Sequence, residues 1–243
     1  MTTTPYSSAL IVGAGPGLGA SLARVFARDG SMRVMVAARQ REKLEVIARE
    51  TGAGTAICDA TDATSVAALF DTATAHFGAP PEVVVYNASR RVRGAFVDVD
   101  PVAVEQAVRV TAYGAFLVAQ QAARRMLPAG RGALLFTGAS AWVKGFAQSA
   151  AFAMGKFALR GLAQSLAREL SPLGIHVGHV IVDGGIRAPG GSGGSVGAGA
   201  PGEDGKDDRL DPDAIAATYL HLLSQPRNAW TWEIEVRPWV ERF

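Results

Sequence analysis

Apolar runs of strand length recur along the chain, and a stretch with helical periodicity follows each of the first six. The runs fall at residues 9–12, 33–38, 55–58, 83–86, 133–137, 176–182 and 232–236. Within most of them the apolar positions are consecutive, not alternating, which predicts strands buried on both faces. Strands of that kind, separated by helices, build a parallel sheet covered on both sides, a doubly wound α/β arrangement. The intervening periodicity predicts helices near residues 18–29, 41–51, 62–77, 101–127, 150–171 and 212–224. Asp62 and Asp213 stand at or near helix starts, and Pro128 and Pro172 mark ends. The tail from Ala229 to Trp239 alternates apolar and polar residues, the pattern of an edge strand.

Neither an internal repeat nor a shift in composition divides the chain, so residues 1–243 are expected to form one domain. The exception to the pattern is residues 188–205, where Gly, Ser, Ala and Pro dominate and periodicity is lost. This segment leaves the carboxyl end of the sixth strand, where open parallel sheets bind ligands, and is read as a substrate lid.

Composition narrows the function classes. The chain has 243 residues, of which 49% are hydrophobic, and a net charge of +2. No basic run is dense enough for nucleic acid, and Arg90, Arg91 and Arg93 sit instead just past the fourth strand. The lone cysteine, Cys58, excludes an internal disulfide and suits a reducing compartment. A polar start and a short first apolar run predict neither a leader nor a spanning helix, and hence a cytoplasmic protein without a membrane partner. His176 and His179 are three apart on a strand and project to opposite faces, so no metal site is expected.

The stretch Gly13-Ala14-Gly15-Pro16-Gly17-Leu18-Gly19 joins the first strand to the first helix. Unpaired amides and the positive end of the helix dipole converge at such a junction, and glycines let a pyrophosphate approach the backbone. The glycine turn is therefore read as a dinucleotide site. Farther along, the second strand ends in Ala37-Ala38-Arg39, with no carboxylate to take ribose hydroxyls. Arg39, with Arg41 and Lys43 nearby, suits a 2′-phosphate, which favours NADP(H) over NAD(H). Asp59 follows the third strand, where it can take the adenine amino group. Asn87, Ala88 and Ser89 follow the fourth and bring small residues against the cofactor.

The glycine pattern, Asp59, Asn87-Ala88-Ser89, the segment Ala151-Phe152-Ala153-Met154-Gly155-Lys156 and Asp183-Gly184-Gly185-Ile186 together resemble the short-chain dehydrogenase/reductase family over nearly the whole chain. The resemblance implies a Rossmann-type fold of about seven strands in the order 3-2-1-4-5-6-7, with helices on both faces. It implies hydride transfer between a nicotinamide cofactor and a carbonyl or alcohol. It also implies cofactor contacts from Gly13, Gly15, Gly17, Leu18, Gly19, Asn87, Ala88, Lys156, Gly184 and Ile186. In that family a tyrosine acts as general acid/base, a lysine four residues on holds the ribose, a serine orients the substrate and an asparagine supports a proton relay. Here the tyrosine place falls on Phe152 and the lysine on Lys156. The serine place is Ala139, with Ser140 next to it, and the asparagine place is Thr111. The resemblance also implies assembly into a homotetramer or homodimer.

Three accounts stay open on these residues. The chain is an NADP(H)-dependent oxidoreductase whose proton comes from Ser140, Lys156, a water or the substrate, with a cationic C=N substrate needing no acid at all. Alternatively it binds NADP(H) without turnover, as a sensor or an inactive partner subunit. The third account is a structural protein on an enzyme fold.

Overall fold

The computed structural model describes residues 4–142, 144–187 and 208–240. Seven strands form one sheet in the order β3-β2-β1-β4-β5-β6-β9. They are β1 (Ser8–Val12), β2 (Arg33–Ala38), β3 (Gly54–Ile57), β4 (Val83–Tyr86), β5 (Gly132–Thr137), β6 (Ile175–Val182) and β9 (Glu233–Val236). Every neighbouring pair runs parallel. The expected order is found, with the seventh strand ninth in the chain because a small ladder precedes it.

Period-two geometry divides the strand residues between two apolar layers. Ala9 and Ile11, Val34 and Val36, Val83 and Val85 pack with helices α1 (Leu18–Arg28), α2 (Arg41–Thr51) and α7 (Pro212–Ser224). Leu10 and Val12, Met35 and Ala37, Val84 and Tyr86 face α3 (Ala63–Phe77), α5 (Gly114–Met126) and α6 (Ala150–Leu170) on the opposite side. The central strands β1, β4, β5 and β6 are buried throughout, as consecutive apolar positions require. The edge strand β3 alternates between half-buried and exposed.

Helix starts follow the acidic residues. Asp62 caps α3 by accepting from the Ser65 amide at 2.8 Å. The cap of α7 is Asp211, not Asp213, which lies in the first turn and pairs with Arg24 at 2.7 Å. Pro128 and Pro172 sit in short 3₁₀ turns that end α5 and α6.

The helix expected over 101–127 is broken. It consists of α4 (Pro101–Val108), one π turn (Arg109–Tyr113) and α5. This run, Pro101–Ala129, is long and apolar enough to cross a membrane by length and composition, with a mean hydropathy of 1.3 over its most apolar 18 residues. No such segment was expected. In the fold its parts pack against α3 and α6, with Ala107, Thr111 and Leu117 buried.

A parallel ladder joins β7 (Gly185–Ile186) to β8 (Arg209–Leu210). The lid expected at 188–205 lies outside the described residues.

Candidate cofactor and substrate site

The glycine turn is tied to its surroundings by backbone geometry. The amides of Gly13 and Ala14 both donate to the Ala37 carbonyl, at 2.8 and 3.1 Å, which fixes the turn against the end of β2. Asn87 donates from its side-chain amide to the Gly13 carbonyl at 3.0 Å, which fixes it against the end of β4. Gly13 has φ +86°, and a Cβ there would overlap the backbone of Ala88. Gly19 lies against Ala14 in the same way, its virtual Cβ 2.8 Å from the Ala14 Cα.

Gly15 and Gly17 differ. Neither has a positive φ and neither would meet a protein atom within 4 Å if it carried a Cβ. The fold makes no demand for glycine at these positions, and the space they leave open adjoins the start of α1. That helix has Gly17 as its N-cap, with no side-chain cap bond and no acidic residue in its first turn. Its free amides are left for an anion, in contrast to the aspartate-capped α3, α4 and α7. The residues present therefore fit a dinucleotide pyrophosphate.

Beside the turn lies a cavity of about 350 Å³ lined by Gly13, Gly15, Arg39, Asp59, Asn87 and Ala88, with Lys43 and Cys58 also on its wall. Arg39 and Lys43 are exposed at its rim. Asp59 accepts from the amide and the hydroxyl of Thr61, at 2.9 and 2.8 Å, and these bonds hold its carboxyl below the usual carboxylate range. The Cys58 thiol is buried, and burial pushes its pKa up, so it is an unreactive wall group.

A second group of residues assembles around the first two turns of α6. Lys156 is 3% exposed and donates from Nζ to the Thr137 carbonyl at 2.7 Å. Burial, reinforced by the Arg91 charge, brings its pKa down to about 7. One helical turn earlier, Phe152 is buried. Its ring centroid is 5.7 Å from Lys156 Nζ and 4.5 Å from the guanidinium carbon of Arg91. Thr111 is fully buried within the π turn, where its hydroxyl accepts from the Arg90 amide at 3.3 Å. Gly155 lets α6 approach this turn, since a Cβ there would sit 2.9 Å from the Thr111 Cβ. Tyr113 is 44% exposed and stacks on Phe116, away from this group. Ser140 is half-buried and opens a 3₁₀ turn after β5.

Gly184 and Ile186 stand past the end of β6 and do not line the cavity. Gly184, at φ +144°, packs against Pro238, and Ile186 pairs with Leu210. Between them and the sheet, Asp183 is buried and bonded to Arg237 at 3.0 Å, which anchors the chain after β9. His176 and His179 are buried, bonded to the Thr231 carbonyl at 2.9 Å and the Glu233 carboxylate at 3.1 Å. Burial holds the His179 imidazole down to about 4. No metal-holding group of three ligands occurs among the described residues.

Comparisons with known proteins agree with this geometry. The profile of the family described as short chain dehydrogenase matches residues 7–189. A short-chain dehydrogenase structure from Rhodopseudomonas palustris is 33% identical with TM-score 0.79, covering 96% of this chain and 99% of that one. A metagenomic short-chain oxidoreductase in complex with NADP is 26% identical, also with TM-score 0.79, covering 97% and 98%. The (21S)-21-acetoxyl-apo-melianone synthase of Melia azedarach is 31% identical over 70% of this chain, a match spanning 63% of that protein's length. The chain belongs to the short-chain dehydrogenase family.

Proposed function

We propose that the protein is an NADP(H)-dependent oxidoreductase acting on a small carbonyl, alcohol or C=N compound, with Phe152 where the family has its tyrosine. The observation that carries this reading is the convergence of Arg39 and Lys43 with the open glycine turn on one cavity, while Lys156 lies buried at about pH-neutral pKa beside Phe152. Gly13, Gly15, Gly17, Leu18 and Gly19 would hold the pyrophosphate, Arg39 and Lys43 the 2′-phosphate, Asp59 the adenine, and Asn87 and Ala88 the neighbouring ribose. When bound, the nicotinamide supplies or accepts a hydride.

The chain's own residues must then manage the proton. A phenyl ring has none to give. Lys156 does, because an ammonium with a pKa near 7 is matched to proton transfer at neutral pH, an effect worth roughly 10² to 10⁴ in rate. The Thr137 carbonyl holds the amine in place without fixing its charge, and Thr137 is itself held by a 2.7 Å bond between its hydroxyl and Tyr219. A cationic C=N substrate would become a neutral amine and make smaller demands on Lys156. Assembly as a homodimer or homotetramer belongs to the same reading, with exposed Phe116, Met154 and Phe157 on α5 and α6 as its apolar contacts.

One feature favours a second reading, NADP(H) binding without turnover: Phe152 is 7% exposed and fills the position next to Lys156 with a group that cannot donate. Phe152→Tyr separates the two. Wild-type protein is expected to oxidise NADPH with at least some of a panel of carbonyls and imines, and Phe152→Tyr to do so faster by about tenfold or more. Wild-type silence with an active Phe152→Tyr variant would favour the binding reading. NADPH binding without reaction in either protein would remove support from the oxidoreductase.

A further inference from the structure

Arg91 and the buried Lys156 share one aromatic ring, that of Phe152. The Arg91 guanidinium carbon lies 4.5 Å from the Phe152 centroid, its pKa is lowered by burial and by repulsion from Arg93, and it forms no ion pair with a carboxylate among the described residues. Lys156, on the same ring, is likewise perturbed only by burial and by Arg91. By contrast, Arg24, Arg125, Arg160, Arg187 and Arg237 each bond a carboxylate within 3.4 Å. Two cations gathered round one apolar ring, without a counter-charge among the described residues, destabilise one another. Such an arrangement is relieved by an anion from outside the chain.

The geometry specifies what kind of anion. A guanidinium that meets a ring through its face keeps its edge, a planar fork of N–H donors, for other partners. That fork matches a carboxylate bidentately. The side chain is accessible, because Arg91 remains exposed to solvent although its charge is partly desolvated. It is also held in place: the loop carrying it is tied down by the Arg90 amide bond to Thr111 and by the Gly94 amide, which donates to the Gln148 carbonyl at 3.2 Å.

We propose that Arg91 is the substrate-recognition residue of this site, and that the substrate is an oxo acid, a carbonyl compound that also carries a carboxylate. The Arg91 edge pairs with the carboxylate and turns the carbonyl oxygen toward Lys156. Arg91 is a specificity-determining residue, since a guanidinium stays protonated at neutral pH and cannot serve as the acid. This inference rests on the oxidoreductase reading for the word substrate, and its test is arranged to fail separately from it.

The probe is oxamate, a carboxylate that mimics an oxo acid but cannot be reduced, titrated calorimetrically into the full chain with and without saturating NADPH. Oxamate is expected to bind the NADPH-saturated protein. Arg91→Gln should weaken it tenfold or more, Arg91→Lys should fall between, and Arg168→Gln on the exposed end of α6 should bind as wild type. NADPH affinity in Arg91→Gln should stay within twofold. Oxamate binding that is equal in wild type and Arg91→Gln overturns the proposal, as does its absence from NADPH-saturated wild type. A parallel loss of NADPH affinity in Arg91→Gln also overturns it, since Arg91 would then serve the cofactor. If NADPH itself fails to bind, the oxidoreductase reading falls. The nucleotide-free titration then decides Arg91 alone: oxamate binding lost in Arg91→Gln upholds an anion site, and binding that is absent or unchanged overturns it.

Discussion

Lys156 is bonded through Nζ to the backbone oxygen of Thr137 at 2.7 Å, a neutral acceptor in a place where a carboxylate would have fixed its charge. The bond orients the amine but does little to offset its desolvation. The consequence is a lysine whose protonation changes in the neutral range, with the pKa at about 7 against the ordinary 10.5.

This depression has a defined sign in stability. Between pH 7 and 10.5 the unfolded chain carries more of this proton than the folded one, so raising the pH through that window stabilises the fold. The slope for a single group is at most about 1.4 kcal/mol per pH unit. Below pH 7 both states are protonated and the penalty is fully present. Urea unfolding of nucleotide-free wild type and Lys156→Met should therefore show the variant relatively more stable at pH 7, with the difference shrinking toward pH 10. Parallel curves would mean that Lys156 is not depressed.

Gly13 and Gly15 are expected to separate stability from binding. Gly13→Ala combines a positive φ with overlap on Ala88, and should cost about 2 kcal/mol or more. For a chain of this size that lowers Tm by roughly 4 °C or more. Gly15→Ala places its methyl in open space, so its Tm should match wild type while NADPH binding weakens by about tenfold. Thermal melts and fluorescence titrations read the two effects. Identical melts for both variants would contradict the close approach of Gly13 to Ala88.

Arg39 should discriminate between the two nicotinamide nucleotides. A charge-assisted bond to a phosphate contributes about 1.5–3 kcal/mol, so Arg39→Ala is expected to lose roughly 10- to 100-fold in NADPH affinity. NADH affinity should change by less than about twofold. Equal losses for both nucleotides would assign Arg39 to adenine stacking and leave the phosphate preference without a residue.

The sheet was legible because burial on both faces leaves a signal that short-range chemistry cannot imitate. The ranges 33–38 and 83–86 match to the residue, and strand ends elsewhere differ by one position, with Ser8, Gly54, Gly132 and Ile175 joining and Cys58 and Trp232 left out. The π turn at Arg109–Tyr113 was not legible, since one inserted residue barely disturbs helical periodicity. The tertiary contacts that accompany it, Tyr86 bonding the Val110 carbonyl and Thr111 packing on Gly155, join residues far apart in sequence. Arg91 was visible only as one of several arginines past the fourth strand. Its stacking on Phe152 depends on the fold of the following loop and the start of α6, and no spacing rule links the two positions. The glycine turn gave its location in sequence but not its division of labour, in which Gly13 and Gly19 serve the fold and Gly15 and Gly17 leave room.

The two-residue ladder between β7 and β8 also bears on how this protein can be altered. Gly185 pairs with Arg209 and Ile186 with Leu210, and the Arg187 amide donates to the Leu210 carbonyl at 2.9 Å. The chain that departs at 187 is thus returned alongside its point of departure, whatever lies between. Closing a longer excursion across such a clasp costs only about 0.6 kcal/mol for each doubling of its length. The register of the seven-stranded sheet is thus set by residues on either side of 188–207, and changing the length of that segment is expected to leave it in place.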